Sequence, residues 1–268
     1  MSKNQRELFE KKRLIAETTY LTGYVTLIKT GIGMDKNQEM KAKVAALKSQ
    51  LIGRRIIREA VKLHMSTEDA ALYIEAAVRA EVELRRNTYQ DMTELQEHIW
   101  DIAKLLTQST VKFGIMLCGS VGNGKSTMMK ALQRLFIHLD ITIRHNTSFE
   151  TLGMKIISAK ELGRQIRVDP KNSLRYQELT MLGIDDLGEE EATMMDYGNR
   201  VTPVIDLLSY RYDQMLFTMV TTNLTPKQIR STYGDRIADR FNEMMLIIPY
   251  ETPSFRTPQQ STDNAEKQ

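Results

Sequence analysis

The sequence predicts an α/β protein: a five-stranded parallel sheet with helices on both faces, preceded by a helical N-terminal region. Three observations predict it. From residue 113 onward, short apolar runs alternate with stretches of helical period, and strands joined through helices run parallel with both faces covered. A glycine-rich segment, "GSVGNGKST" at 119–127, stands between the first apolar run and a helical stretch. Residues 1 to about 90 hold no proline and few glycines, which favours helices there.

Length and composition bound the problem. The 268 residues suit one domain with an appendage, or two domains. Hydrophobic residues make up 41%, enough for a core, and charged residues 26%. No apolar run approaches the roughly 18 residues that span a membrane, and no apolar stretch of signal-peptide type follows "MSKNQRELFEKKRL". Cys118 is the one cysteine, so neither an intrachain disulfide nor a thiolate metal cluster is possible, and a reducing cytoplasm fits. Residues 1–65 carry 14 Lys/Arg against 6 Asp/Glu, while 66–268 carry 23 against 28. A basic arm on a mildly acidic body is either a solvated helical face or a dock for an acidic partner.

In the N-terminal region, residues 38–63 place Val44, Leu47, Leu51, Ile52, Ile56, Ile57 and Val61 near helical spacing. Residues 66–86 open with Ser66 three positions before Asp69, resembling a capping box. The stripe there, Leu72, Ala76, Arg79 and Glu83, is weak and predicts few packing neighbours. "MTELQEHIWDIAKLL" is a third helix. The buried strands are expected at 113–118, 155–158, 180–185, 216–222 and 244–249, and "ITIRH" at 141–145 is one more strand or the start of the second. Met128, Leu132, Leu135, Phe136 and Leu139 line one side of the helix after the glycine-rich segment. The domain division expected is 1–90, a helical and basic partner-binding region; 91–250, the α/β domain; and 251–268, a polar disordered tail.

The chemistry lies at strand ends. Gly119 to Ser126 fits G-x-x-x-x-G-K-[ST], after a strand and opening a helix, the context a phosphate cradle requires. Its glycines let backbone N–H groups turn inward, and the helix N-terminus adds positive potential. Gly119, Ser120, Val121, Gly122, Asn123, Gly124, Lys125, Ser126 and Thr127 are the cradle; Lys125 reaches the β/γ-phosphates and Ser126 a Mg²⁺ ion. In "MLGIDDLG", Asp185 and Asp186 close a buried strand: one carboxylate suits the metal, the other a general base for water. A plain strand-to-loop turn would also use these residues. Asn223, ending "VTTN", could hold the hydrolytic water or sense the γ-phosphate, or be turn chemistry. In "YGDRIADRF", Arg236 and Arg240 share a helix face. They either pair with Asp235 and Asp239 or complete a neighbouring subunit's site. Arg211 is a weaker candidate for that interface.

Taken in this order and spacing, these four elements resemble the AAA+ ATPases, and within them the DnaC-type helicase loaders and the IstB-type transposition ATPases; the resemblance covers about 95–250. It implies ATP and Mg²⁺ as ligands, Lys125 and Ser126 in Walker A, Asp185 and Asp186 as Walker B, Asn223 as sensor 1, and Arg240 or Arg236 as the arginine finger, with Arg240 matching the loaders' "DR". Two departures stand out. The Walker B pair is Asp-Asp where many relatives have Asp-Glu, which implies slow hydrolysis. Only 27 residues follow Phe241, so the C-terminal lid is expected to be truncated. The family places a DNA-binding helix between the second and third strands; here Lys160, Arg164, Arg167, Lys171 and Arg175 fill that space. They form either a groove for single-stranded DNA or a solvated basic face, and Tyr176 either stacks a base or packs. The implied function is ATP-driven assembly of several copies on single-stranded DNA to load a replicative helicase, docked on the N-terminal region; the alternative is a helper of a DNA transposase. A small-molecule kinase or a non-hydrolysing ATP-bound adaptor is a less favoured alternative.

Overall fold

The computed structural model describes residues 36–53, 61–141, 153–191, 194–196, 199–201 and 203–251. The chain divides into two compact units, Met1–Ile57 and Arg58–Gln268. The first unit contains helix α1, Lys36–Gly53, which exposes Met40, Val44, Leu47 and Leu51. The helix expected to run on to residue 63 is described only as far as Gly53. Val61 and Leu63 lie in non-helical chain and are buried in the second unit's core, with the Leu63 N–H donating to Leu106 O at 2.7 Å.

In the second unit, α2 (Thr67–Glu83), α3 (Thr93–Thr107), β1 (Gly114–Gly119), α4 (Lys125–His138) and β2 (Lys155–Ser158) come first. Then follow α5 (Ala159–Val168), α6 (Lys171–Glu178), β3 (Met181–Leu187), a short antiparallel pair β4 (Met194–Asp196) and β5 (Asn199–Val201), and α7 (Pro203–Asp213). The chain closes with β6 (Phe217–Thr222), α8 (Pro226–Tyr233), α9 (Asp235–Met244) and β7 (Met245–Tyr250). The main sheet has five parallel strands in the order β2-β3-β6-β1-β7. All five expected strands are present, each within two residues of its expected bounds. "ITIRH" lies outside the described residues beyond Ile141, as does the tail beyond Glu251.

Alternation along the strands explains the layers. Ile115, Leu117, Met181 and Met219 join one apolar cluster with α2, α3 and α4. Met116, Leu182, Ile184 and Val220 join the other with α5 to α9. A sheet covered on both faces needs apolar residues at successive positions, which is why these strands read as continuous runs.

The division at Ile57/Arg58 differs from the boundary expected near residue 90, and α2 shows the reason. The Ser66 side chain does accept the Asp69 N–H, at 3.0 Å. Its buried face, however, is Ala70, Ile74, Val78 and Glu81, packed on α3 and α4; Leu72 and Arg79 point to solvent. Glu81 is buried because Arg85 and Arg134 pair with it at 3.0 and 2.8 Å. A carboxylate and an alanine on the inner face hid the stripe. Among the described residues, no helix is long and apolar enough to cross a membrane.

Candidate active site

The glycine-rich loop joins β1 to α4 at the C-terminal edge of the sheet. Gly122 and Gly124 take φ of 89° and 94°, a region that side chains with a Cβ rarely enter. A Cβ on Gly119 would lie 2.1 Å from Tyr250 O, so β7 presses directly on the loop. The Asn123 Nδ2 donates to that carbonyl at 2.9 Å, and its Oδ1 accepts from Lys125 Nζ at 3.0 Å. Lys125 Nζ also donates to Gly119 O at 2.9 Å and Ser120 O at 2.6 Å. The ammonium is thus held by oxygens of its own loop. Burial lowers the Lys125 pKa, opposed by the neighbouring Asp186, Cys118 and Asp185 charges.

The second strand end is built by a bulge. Ile184 pairs with Val220 and Leu187 with Thr222, so Asp185 and Asp186 together face one residue, Thr221. A bulge re-aims side chains locally. Asp186 takes φ of 57°, left-handed backbone for a non-glycine residue. The Asp185 Oδ1 accepts two hydroxyls, Ser126 Oγ at 2.8 Å and Thr221 Oγ1 at 2.5 Å. Thr221 Oγ1 in turn accepts the Asp186 N–H at 2.8 Å. Ser126 and Asp185 therefore present adjacent oxygens, the donor chemistry that a hard cation such as Mg²⁺ takes.

These elements surround a cavity of about 440 Å³, within the range of small-molecule sites. The loop residues 121–127, Asp186, Glu189 and Asn223 line it. Val78, Val82, Arg85, Tyr89, Gln90, Leu95 and Tyr250 line it as well. The structure thus brings together Lys125, Ser126, Asp185, Asp186 and Asn223. It adds residues the sequence reading missed: Thr221, Glu189 and the 85–90 segment. The Thr221 role had a faint signal, its place one strand over from the carboxylates; the 85–90 segment had none.

The arginines fall elsewhere. Neither Arg236 nor Arg240 is among the cavity-lining residues. Asp235 and Asp239, the partners considered for them, are taken by Arg230 at 2.5 and 2.7 Å. Arg236 is exposed. Arg240 lies over the Tyr212 ring, 5.0 Å from its centroid, and contacts Asp213 at 3.3 Å. Arg211 is no interface residue: it is fully buried and donates to Tyr176 O, Leu179 O, Phe217 O and Thr218 Oγ1 at 2.7–3.0 Å. Tyr176 packs in the core, its hydroxyl donating to Gln165 Oε1 at 2.6 Å. Of the basic set on α5 and α6, Arg164 pairs with Glu161 and Arg167 with Glu191, at 2.7 and 2.6 Å, while all five residues are exposed. Hydrogen bonds from Arg164 and Gln165 hold the Glu161 carboxyl at about 2.

Numbering the five strands in chain order gives 2-3-4-1-5. This order sets the glycine-rich loop after the first strand beside the paired carboxylates that close the third, where Ser126 reaches Asp185. No family model matches the chain, and no curated protein matches its sequence. Among solved structures it is similar to the DnaC helicase loader, at 18% identity and TM-score 0.49 over 67% of this chain and 99% of that one. It is similar to DnaI at 17% identity and TM-score 0.47, over 70% of this chain and 95% of that one. It is also similar to AMPPCP-bound DnaA from Aquifex aeolicus at 14% identity and TM-score 0.42, over 60% of this chain and 48% of that one.

Proposed function

We propose that this chain is an ATPase that assembles with ATP on single-stranded DNA and helps load a replicative helicase. The observation that carries the ATPase part is the convergence of Lys125, Ser126 and Asp186 at one cavity, with Asp185 bonded to Ser126 beside it. The replication role rests on the resemblance of the four motifs to helicase loaders.

In this reading the N–H groups of residues 119–127 and the Lys125 ammonium bind the β- and γ-phosphates. Ser126 and Asp185 would hold Mg²⁺, which supplies charge neutralisation across the phosphate oxygens. Asp186 takes a proton from a water that Asn223 orients, while the water oxygen attacks the γ-phosphorus. The bond from phosphorus to the bridging oxygen breaks, and ADP and phosphate leave. Aspartate reaches less far than glutamate, so turnover is slow. Arg240, or Arg236, serves the site of a neighbouring copy, where charge grows in the transition state. Lys160, Arg164, Arg167, Lys171 and Arg175 track the DNA phosphates, and the basic residues of 1–90 dock the helicase.

The test is ATP hydrolysis by the full chain with and without single-stranded DNA, followed by capture of a purified replicative helicase. Slow turnover stimulated by DNA, with capture of the helicase, is expected. ATP-dependent bending of duplex DNA and indifference to helicase would instead identify a transposase helper. Phosphate transfer to a small acceptor would identify a kinase, and binding without turnover an adaptor.

A further inference from the structure

We propose that Glu190 is a positioning residue of this site: with Tyr233 it forms a buried strut fixing the Asp185–Asp186 turn against the α8–α9 pair. The proposal rests on the ATPase reading above.

Of three consecutive glutamates after the turn, Glu189 and Glu191 are exposed and Glu190 is fully buried. A buried carboxylate is costly unless donors reach it, and both of its oxygens have one. Gly188 N–H donates to Glu190 Oε2 at 2.8 Å, and Tyr233 O–H donates to Glu190 Oε1 at 2.5 Å across 43 residues of chain. The turn needs such support. Asp186 and Gly188 hold φ of 57° and 109°, a backbone that persists only where the surroundings over-determine it. Strand β6 supplies two further ties. Thr221 Oγ1 accepts the Asp186 N–H, and Thr222 Oγ1 donates to Leu187 O at 2.6 Å. Glu190 therefore supplies a tie to the turn from outside the sheet.

Its other end matters as much. Tyr233 is the last residue of α8, and Gly234, at φ of 86°, turns the chain directly into α9 with Arg236 and Arg240. The turn bearing the water-activating carboxylate and the helix bearing the two arginines thus share one buried hydrogen-bonded pair. Displacing either end breaks a hydrogen bond between two buried groups, where its loss costs more than at the surface. Glu190 touches no reacting atom in this arrangement; it acts through Gly188 and Tyr233.

The experiment compares steady-state ATP hydrolysis by the full-length wild type, Glu190→Gln, Tyr233→Phe and the double variant, with thermal unfolding of each. Both substitutions keep side-chain volume, and Tyr233→Phe leaves the Glu190–Gly188 bond in place, so a folding failure of Glu190→Gln alone still leaves a readable variant. Each single variant is expected to lose about ten- to a hundredfold in kcat, as for residues that orient a catalytic group. The KM for ATP stays within about twofold, since ground-state binding is untouched. The double variant should be no slower than the slower single, because the two residues act as one unit. An unchanged kcat in folded variants, a loss confined to KM, or losses that multiply in the double variant would each overturn the strut. A wild type that hydrolyses no ATP overturns the functional reading and the strut with it, whereas an active wild type beside unimpaired variants overturns the strut alone.

Discussion

Lys125 and Asp186 line one cavity, and on the proposed function they do different work there. The Lys125 ammonium is satisfied by Gly119 O, Ser120 O and Asn123 Oδ1. These are the oxygens it would exchange for phosphate oxygens. Lys125→Ala is expected to weaken ATP binding at least about a hundredfold, since charge-assisted bonds to phosphate are lost; a fluorescent ATP analogue titrated into the variant reads this directly. Asp186→Asn keeps the side chain's shape and removes its basicity. It should leave that titration unchanged and lower turnover by about a hundred- to ten-thousandfold, the range for loss of a general base. The pattern G-x-x-x-x-G-K-[ST] and two carboxylates closing an apolar run marked both positions in the sequence, and the structure places both at one cavity. The Thr221 hydroxyl, shared between Asp185 and the Asp186 N–H, was not legible there, because strand adjacency decides it.

At the scale of elements, the strands were readable because burial on both sheet faces leaves an uninterrupted apolar run. The helices were less so. Helix α2 buries Ala70 and Glu81 alongside Ile74 and Val78, and the inner Glu81 is permitted only by arginines from elsewhere. Arg211 repeats the lesson in the opposite sense. An arginine in α7 reads as a surface residue, yet its guanidinium ties α6 and β6 together through three carbonyls and Thr218. Arg211→Met should fill the space but leave those carbonyls without donors. The expected cost is about 3 kcal/mol or more, from unsatisfied buried acceptors. Urea unfolding followed by circular dichroism measures it.

At the scale of the whole molecule, the cavity beside the glycine-rich loop and the arginine-bearing helix α9 are separate features of one chain. Neither Arg236 nor Arg240 lines the cavity. Arg240 is only 15% exposed, held over Tyr212 and near Asp213, so it is pre-placed rather than free to search. On the proposed assembly, Arg240→Ala should abolish turnover in homogeneous samples while ATP still binds. Mixing it with Lys125→Ala protein should restore part of the activity, because one copy supplies the arginine and the other the cradle. ATPase activity across a mixing series tests this; no recovery at any ratio would assign the arginine to its own chain's site.

The sequence by itself determined the α/β class, the five strands, the glycine-rich loop after the first of them and the carboxylate pair closing the third, because these depend on local periodicity and on residue types at fixed short spacing. Only the tertiary structure decided which strand stands beside which and that a bulge aims Asp185 and Asp186. It also decided that α2 belongs to the core, that Arg211 is structural and that Glu190 reaches Tyr233. The physical reason is common to all of these: each depends on burial or on a hydrogen bond between residues distant in the chain, and neither leaves a periodic mark in the sequence.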